Sequence, residues 1–404
     1  MLVPGSGICN AAALAIALDV RFMAFLCVSI EGTGRRILVP CREAQVLKIG
    51  IVGLGQVGKT TLFRILTHAH GSGLASGRPE AHLGVVHVPD ARLDRLVKMF
   101  PGRKTVYASV EYVDSPGSVI DLLRTGIQTA SLREMDALAH VVRAFDDEAL
   151  PPPGGSLDPQ RNIENVELEM ILSDLAVIEK RLERLERDLK KQKNPALEAE
   201  HLALLTCKAA LEKQTPLREV ALGPQEAVVR GFMFLSLKPV LYVLNLGERD
   251  AARTQAAEEF AAEAGLKQRP KTGVAAVSGK IEAELAELSD ADAADFLASF
   301  GLAESAVARV IRASYQLLGV ISFFTVGENE CRAWTIRSGA TAWNAAGEIH
   351  SDFQKGFIRA EVVKFEDLVA AGSLAEARSR GLLKPEGKEY VLHDGEVVYI
   401  RHAP

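Results

Sequence analysis

Nine consecutive residues, from Gly53 to Thr61, combine glycines, a lysine and threonines in an order that suits phosphate binding. They read Gly-Leu-Gly-Gln-Val-Gly-Lys-Thr-Thr and fit the spacing G-x-x-x-x-G-K-[ST]. Glycines let the backbone curl tightly, so that successive N–H groups converge on phosphate oxygens. Lys59 would reach the β- and γ-phosphates of a nucleoside triphosphate, and the Thr60 hydroxyl would bind Mg²⁺. We therefore expect the phosphates to be bound by Gly55, Gln56, Val57, Gly58, Lys59, Thr60 and Thr61.

The flanking segments supply the elements that such a loop needs. The apolar run at 47–52 predicts a strand before the loop, and residues 61–66 predict a helix after it. A helix in this place presents its positive N-terminal end to the same anion. The alternative is an ordinary glycine-rich turn, and the strand and the helix on its two sides argue against it. The sequence thus predicts the phosphate-binding loop of a P-loop nucleotide-binding protein.

Further apolar runs predict a parallel sheet around this loop. Buried strands are expected at 48–52, 110–113, 138–144, 239–245 and 273–277, with helical patterns between some of them. The fold class is therefore α/β, of the doubly wound type. Asp114 and Gly117 follow the second strand in the spacing D-x-x-G. In G domains this Asp holds Mg²⁺ through water, and the glycine N–H contacts the γ-phosphate.

Residues that could recognise the base follow the fourth predicted strand. Asn245, Leu246, Gly247 and Glu248 stand where GTPases carry N-K-x-D. In that motif the Asp accepts two hydrogen bonds from guanine. Glu248 is longer by one methylene, and Leu246 replaces the lysine, so guanine selectivity should be lost because unpaired polar groups cost about 1–3 kcal/mol each. Beyond the last strand, Ser278 and Gly279 complete the expected binding residues.

The composition limits the classes to which this protein can belong. The chain has 404 residues, 48% of them hydrophobic and 25% charged, which suits two or three globular domains. A net charge of -5 gives no overall attraction to nucleic acid or membranes, so such contacts need a local patch. Its five cysteines form no CxxC pair, which argues against a disulfide framework and a zinc site. We therefore expect a cytoplasmic protein.

The first 46 residues fit none of these patterns. The stretch 11–30 is rather apolar but is broken by Asp19 and Arg21, and it lacks the basic start of a signal peptide. Residues 1–46 are a weakly structured extension, a poor targeting segment, or sequence upstream of the true start. We favour the last explanation, because the first strand of the nucleotide-binding fold begins just after Val46. The segment then has no function.

A helical insert and a small C-terminal module complete the organisation. Apolar residues recur three and four positions apart and predict a heptad seam: Leu168, Ile171, Leu175, Ile178, Leu182, Leu185 and Leu189. Asn194-Pro195 breaks this helix, and a second arm is expected through Leu204, Leu211 and Leu217, giving an antiparallel hairpin. Either the seam only holds the two arms of the hairpin together, or the hairpin also docks a macromolecular partner. From about Leu318, short strands around a helix predict an α+β module.

Taken together, these motifs resemble the YchF-type (Obg-like) ATPases of the translation-factor class. The similarity runs from Leu47 to Arg401, and it is densest at 323–325, 332–336 and 350–361, which look like the TGS module of that family. It implies a Ras-like ATP-binding domain at 47–165 and 230–300, a coiled-coil insert at 166–229 and a β-grasp TGS domain at 318–404. It also implies ATP and Mg²⁺ as ligands, ATP hydrolysis, and ribosomes or RNA as partners, without a membrane.

The chain departs from this family at three places. Relatives have a switch I threonine and a nearby cysteine, and the corresponding stretch at 71–84 has neither. The segment at 118–124 is shorter and more apolar than the Gly/Lys-rich loop of relatives. The loop at 149–154 lacks the histidine that the family is thought to use in catalysis. Catalysis of γ-phosphate attack depends on positioning, so hydrolysis should suffer more than binding, and we assign no catalytic residue.

Several histidines and basic residues remain open to two interpretations. His140 lies on a predicted buried strand and is expected to be a packed core residue, while His82 and His87 are weak catalytic candidates. His350, Lys355 and Arg359, with Arg332 and Arg337, either form an RNA-facing patch or serve structural roles in loops. The leading hypothesis is an ATPase that hydrolyses ATP slowly and acts as a conformational switch on ribosomes or RNA. The alternatives are a hydrolysis-deficient RNA- or ribosome-binding module and a true GTPase.

Overall fold

The computed structural model describes residues 25–29, 36–40, 47–67, 82–115, 117–126, 129–147, 150–151, 156–192, 194–250, 256–299, 302 and 304–403. The strands in these parts are β1 (Phe25–Ser29), β2 (Arg36–Pro40), β3 (Leu47–Val52), β4 (His82–His87), β5 (Lys104–Val106), β6 (Ser109–Asp114), β7 (Ala137–Ala144), β8 (Val240–Leu246), β9 (Thr272–Val277), β10 (Val320–Val326), β11 (Glu330–Arg337), β12 (Phe357–Lys364), β13 (Lys384–Glu386) and β14 (Glu396–His402).

The helices of the same parts follow in chain order. They are α1 (Lys59–Thr67), α2 (Ala91–Met99), α3 (Val119–Thr125), α4 (Thr129–Arg133), α5 (Pro159–Lys191), α6 (Pro195–Leu211), α7 (Gln225–Val229), α8 (Ala256–Glu263), α9 (Gly279–Leu285), α10 (Asp290–Ser299), α11 (Ala306–Leu317), α12 (Ala342–Ile349), α13 (Ser351–Lys355), α14 (Phe365–Ala371) and α15 (Leu374–Ser379). Within the described residues, none of these helices combines the length and the hydrophobicity that a transmembrane span requires.

A six-stranded sheet forms the larger α/β unit. Its order is β4-β6-β3-β7-β8-β9, and every neighbouring pair is parallel except β4 with β6. Strands β7 and β8 are buried almost throughout, as near-continuous apolar runs predict for parallel strands covered on both faces. The five predicted strands are thus confirmed to within one residue at each end. The phosphate-binding loop lies between β3 and α1, at the carboxyl edge of this sheet.

A long helical hairpin is inserted between strands β7 and β8 of this sheet. Helix α5 begins at Pro159 after the Asp158 N-cap, and α6 begins at Pro195 after the Asn194 N-cap. The two arms run antiparallel, since Arg181 pairs with Glu200 at 2.7 Å and Lys208 pairs with Glu179 at 3.1 Å. Their seam buries Ile171, Ile178, Leu182, Leu185, Ala203, Leu204, Cys207 and Leu211.

Two details of the predicted hairpin were wrong. Leu168 is exposed rather than part of the seam, because the first turns of α5 face the α/β core through Ile163, Val166 and Met170. The second arm ends at Leu211 rather than Leu217. Gln214 has a left-handed φ of 57°, and Pro216 follows it, so the helix cannot continue.

The C-terminal region forms a second six-stranded sheet, ordered β13-β12-β14-β10-β11-β5. One face packs on α12 through Phe323, Trp334 and Val398, while the other joins the core of the α/β unit. Strand β5 comes from the N-terminal half of the chain, yet it pairs in parallel with β11. The two units therefore share a sheet edge as well as a core.

Candidate functional site

The loop between β3 and α1 has the backbone geometry that its glycines predict. Gly53 has φ +151°, and a Cβ there would lie 2.6 Å from the Val141 carbonyl oxygen. Gly58 has φ +96°, a left-handed value that side chains rarely adopt. The first N–H of α3, from Val119, donates to the Gly53 oxygen at 3.0 Å. The loop is therefore fixed by its own conformation and by the D-x-x-G segment beside it.

Lys59 lies over this loop and is 8% exposed. Its Nζ donates to the carbonyl oxygens of Gly53, at 3.2 Å, and Leu54, at 2.6 Å. Burial lowers the pKa of Lys59 to about 8, against the opposing attraction of Asp114. A buried cation with only carbonyl acceptors is well placed to receive an anion, because a phosphate restores the charge-assisted contacts that burial removed.

Thr60 and Asp114 meet beneath the loop. The Thr60 hydroxyl donates to Asp114 Oδ2 at 3.0 Å, so two oxygens of the types that Mg²⁺ prefers lie side by side. Asp114 Oδ1 is buried without a hydrogen-bond partner in the described part of the chain. Burial also raises the pKa of Asp114. A buried carboxylate with a free oxygen next to a threonine hydroxyl fits a hydrated divalent cation.

Asn245 joins the two loops that flank the site. Its Nδ2 donates to the Val57 oxygen at 3.0 Å, and its Oδ1 accepts from the Gly279 N–H at 3.0 Å. A Cβ on Gly279 would lie 3.3 Å from Asn245 Oδ1 and from Thr61 Cγ2, so the contact is tight. Both ends of the amide are therefore used in holding the site together, and Asn245 acts as a positioning residue.

These residues surround a cavity of about 950 Å³. Its lining includes all but one of the predicted binding residues: Gly55, Gln56, Val57, Gly58, Lys59, Thr60, Thr61, Gly117, Asn245, Leu246, Glu248 and Gly279. The exception is Ser278, which is buried and has a hydroxyl without a partner in the described residues. Asp114 lies just below the lining, under Thr60. The sequence motifs thus converge on one cavity at the carboxyl edge of the sheet.

The cavity also has a wall that the motifs did not predict. Phe145, Asp146, Asp147 and Leu150 line it from the segment after β7. The buried guanidinium of Arg143 holds this segment by donating to the backbone oxygens of Phe145 at 3.0 Å, Leu150 at 2.6 Å and Pro151 at 3.4 Å. The position of this segment after a buried parallel strand was the available signal, because ligands bind at the carboxyl ends of such strands. Residues 148–149 and 152–155 lie outside the described residues.

At the far end of the cavity, Glu248 pairs with Lys280. The Lys280 Nζ lies 2.6 Å from Glu248 Oε1, and the two side chains are 69% and 46% exposed. Lys280 stands in the first turn of α9, directly after Gly279. This end of the cavity is thus built from exposed charged groups, and the sequence prediction named Glu248 without its partner.

The histidine predictions have separate outcomes. His140 is a packed core residue, as predicted: it lies 5.6 Å from the Tyr242 ring, and burial lowers its pKa to about 3. His82 and His87 are on β4, with the Asp114 backbone opposite His82. His350 is buried and caps α13 by accepting from the Asp352 N–H at 3.1 Å, so it is not a free member of a basic patch. Most of the switch I stretch lies outside the described residues.

Comparison with known proteins identifies the family. A family profile described as "YchF-GTPase_C: Protein of unknown function (DUF933)" matches residues 320–403. The "Ribosome-binding ATPase YchF" of Bacillus subtilis (strain 168) is 40% identical over 364 residues, covering 88% of this chain and 99% of that protein. The chain belongs to the YchF family. The Escherichia coli O157:H7 protein of the same name is 37% identical over 361 residues, covering 87% of this chain and 98% of its own length.

The YchF assignment extends to the three-dimensional structure. The "Structure of the Schizosaccharomyces pombe YchF GTPase" matches with a TM-score of 0.75 and 29% sequence identity, covering 89% of this chain and 99% of that chain. The predicted fold class, a Ras-like P-loop domain with a helical insert and a C-terminal TGS-type module, is therefore confirmed.

Proposed function

We propose that this YchF protein binds ATP with Mg²⁺ in the cavity, hydrolyses the ATP slowly, and acts as a nucleotide-controlled switch on ribosomes in the cytoplasm. Its bacterial relatives are named ribosome-binding ATPases. The S. pombe relative is called a GTPase. The end of β8 supports ATP for this chain: Glu248 and Leu246 replace the guanine-reading residues, and Glu248 is engaged by Lys280.

The proposal gives a role to each predicted site residue. Lys59 and the loop N–H groups hold the β- and γ-phosphates, and Gly117 contacts the γ-phosphate. Thr60 and Asp114 would hold the cation. When bound, Mg²⁺ neutralises charge on the phosphate oxygens. Leu246 lies against the base, Glu248 reads its edge, and Asn245 supports the loop through Val57 and Gly279. Ser278 lies next to Gly279 and has a hydroxyl without a partner in the described residues.

The same proposal accounts for slow hydrolysis. Rate enhancement in phosphoryl transfer comes from positioning the attacking water and stabilising charge. The chain lacks the switch I threonine and the loop histidine that the family resemblance led us to expect. The residues expected to bind the nucleotide are all present, whereas the threonine and the histidine expected to position the attacking water are absent. A ribosome could supply the missing group.

The direct test is single-turnover hydrolysis by the full chain with ATP and with GTP, with affinities measured on the same sample. We expect tight ATP binding and a slow single-exponential release of phosphate that Lys59→Ala removes. Tighter binding of GTP than of ATP would contradict this proposal and indicate that the protein is a GTPase. Tight ATP binding without any turnover, with or without ribosomes, would favour the second candidate, a hydrolysis-deficient binding module. The altered switch segments are the observation that favours that candidate.

A surface on the hairpin supports the ribosome as the partner. Lys180, Arg184, Arg187 and Lys191 recur at helical spacing on α5, and all are exposed. This basic stripe lies opposite the buried seam of Ile178, Leu182 and Leu185, so it faces away from α6. A row of cations on a protruding helix suits the phosphate backbone of RNA.

Charge reversal of the basic stripe tests this contact. We expect the double variant R184E/R187E to lose about 10-fold in ribosome affinity at moderate salt, and its affinity to vary less with salt concentration, because fewer counterions are released. The matched control is R95E/K98E on α2, which has the same change in net charge. Co-sedimentation at several salt concentrations measures both. Equal losses in the two variants would show that only the overall charge matters.

A further inference from the structure

The Glu248–Lys280 pair occupies the part of the cavity that lies beyond the phosphate-binding loop. Glu248 begins the short turn after β8, and Lys280 is in the first turn of α9. Both side chains line the cavity, and they are linked at 2.6 Å. The contact with Glu248 also raises the pKa of Lys280, so the lysine stays charged. An acceptor and a donor therefore stand side by side at the base-reading end.

Asn245 cannot take part in this reading without breaking the site. Its amide nitrogen is bound to the Val57 oxygen, and its amide oxygen is bound to the Gly279 N–H. Breaking either contact leaves a buried backbone group unpaired, which is unfavourable. Discrimination between bases must then come from the neighbouring polar groups, and Glu248 with Lys280 is the charged pair nearest the end of β8.

The two purines differ in the hydrogen-bonding pattern of the edge that this pair would meet. Guanine presents two adjacent donors, at N1 and the 2-amino group, which fit a carboxylate with both oxygens free. Adenine presents one donor, the 6-amino group, beside one acceptor, N1. In this structure Lys280 already occupies Glu248 Oε1, which leaves Oε2 as the remaining acceptor. The paired arrangement offers one acceptor and one donor.

We infer that Lys280 is a specificity-determining residue that sets the preference for ATP over GTP. It occupies one Glu248 oxygen, so the carboxylate cannot pair bidentately with guanine, and its own ammonium group donates to adenine N1. This inference rests on the proposed ATP-binding function and names the residue that restricts Glu248. Lys59 and the loop between β3 and α1 provide the affinity for the phosphates.

The test is the ratio of the dissociation constants for GTP and ATP, measured on the full chain with Mg²⁺. Removing the Lys280 charge weakens attraction to both triphosphates alike, and that effect cancels in the ratio. We expect Lys280→Ala to lower the ratio about 5- to 10-fold, since exposed pairs have modest energies. The matched control is Lys267→Ala, which removes an exposed lysine whose Nζ lies 3.7 Å from Glu258 Oε2 and which is not in the cavity lining.

A second pair of variants shows whether Lys280 acts together with Glu248. In a Glu248→Ala background, Lys280→Ala should lower the ratio clearly less than in the wild-type chain, because the carboxylate that Lys280 restricts is gone and only its direct contact with adenine N1 remains to be lost. An unchanged ratio in Lys280→Ala alone, or the same change in both backgrounds, would overturn the inference. If the wild-type chain does not bind ATP, the proposed function fails instead. The two failures are therefore distinguishable.

Discussion

The two ends of the nucleotide cavity are built in different ways. At the phosphate end, Lys59, Asp114 and Asn245 are buried, and each is held by short contacts to the loop or to Thr60. At the base end, Glu248 and Lys280 are exposed and contact each other. The phosphate end is thus preorganised and tolerates little change, whereas the base end can be altered without disturbing the core. We infer that affinity comes mainly from the first end and base selectivity from the second.

The largest effect is expected from Lys59→Ala. It removes the cation that faces the phosphates, and charge-assisted hydrogen bonds contribute about 1.5–3 kcal/mol each. We expect ATP affinity to fall about 100-fold or more, with the same loss for GTP, because both share the triphosphate. Isothermal titration calorimetry measures this loss. Lys48→Ala, which changes an exposed lysine on β3, is the control and should keep full affinity. Retained affinity in Lys59→Ala would contradict the assignment of the phosphate end.

A smaller effect is expected from Gly58→Ala. The new Cβ would lie 2.3 Å from Asn245 Nδ2, in a backbone conformation with φ +96° that alanine adopts with strain. Asn245 would have to move, and the bridge between the two loops would break. We expect ATP binding to weaken about 10- to 50-fold. The control is Gly231→Ala, where the Cβ meets nothing within 4 Å and φ is not left-handed. Equal affinities in the two variants would show that the phosphate end is more adaptable than we state.

The smallest effect is expected from a change at His140, on strand β7 next to β3. His140 lies beside Val52 across the sheet, and burial lowers its pKa to about 3. The unfolded chain therefore binds one proton more between pH 6.5 and 3, so His140 makes the protein less stable as the pH falls through this window. Between pH 6.5 and 5 the loss is at most about 2 kcal/mol. We expect His140→Leu to show a flatter dependence of the unfolding free energy on pH. Denaturant unfolding at several pH values measures this dependence. If the unfolding free energy of His140→Leu varied with pH as steeply as that of the wild-type chain, His140 would not be buried in its neutral form.

The sequence predicted most of the phosphate end and little of what supports the base end. Residues 53–61, Asp114 and Asn245 could be named because their chemistry depends on fixed local spacing next to apolar strands. Lys280 was overlooked as a partner because it is 32 residues from Glu248 along the chain, and only the fold brings the two together. The wall at Phe145 was missed for a different reason: Arg143 shapes it through nearby backbone oxygens, which no sequence motif encodes.

The fold shows the same division between local and distant information. Long apolar runs gave the five parallel strands, whereas the three-residue strand β5 has no pattern of its own and forms by pairing with β11. The heptad pattern located the hairpin but could not show that its first turns face the α/β core instead of the second arm. The division of the chain at 47–165 and 230–300, 166–229 and 318–404, with residues 1–46 as an extension, stays a prediction.

The measurement that tests the central claim most directly is a pair of titrations of the full chain, with Mg-ATP and with Mg-GTP, in the same calorimeter. The claim is that the buried phosphate end gives affinity and the exposed Glu248–Lys280 end selects adenine. We predict clearly tighter binding of ATP than of GTP. Equal binding, or a preference for GTP, would contradict this account of the base end.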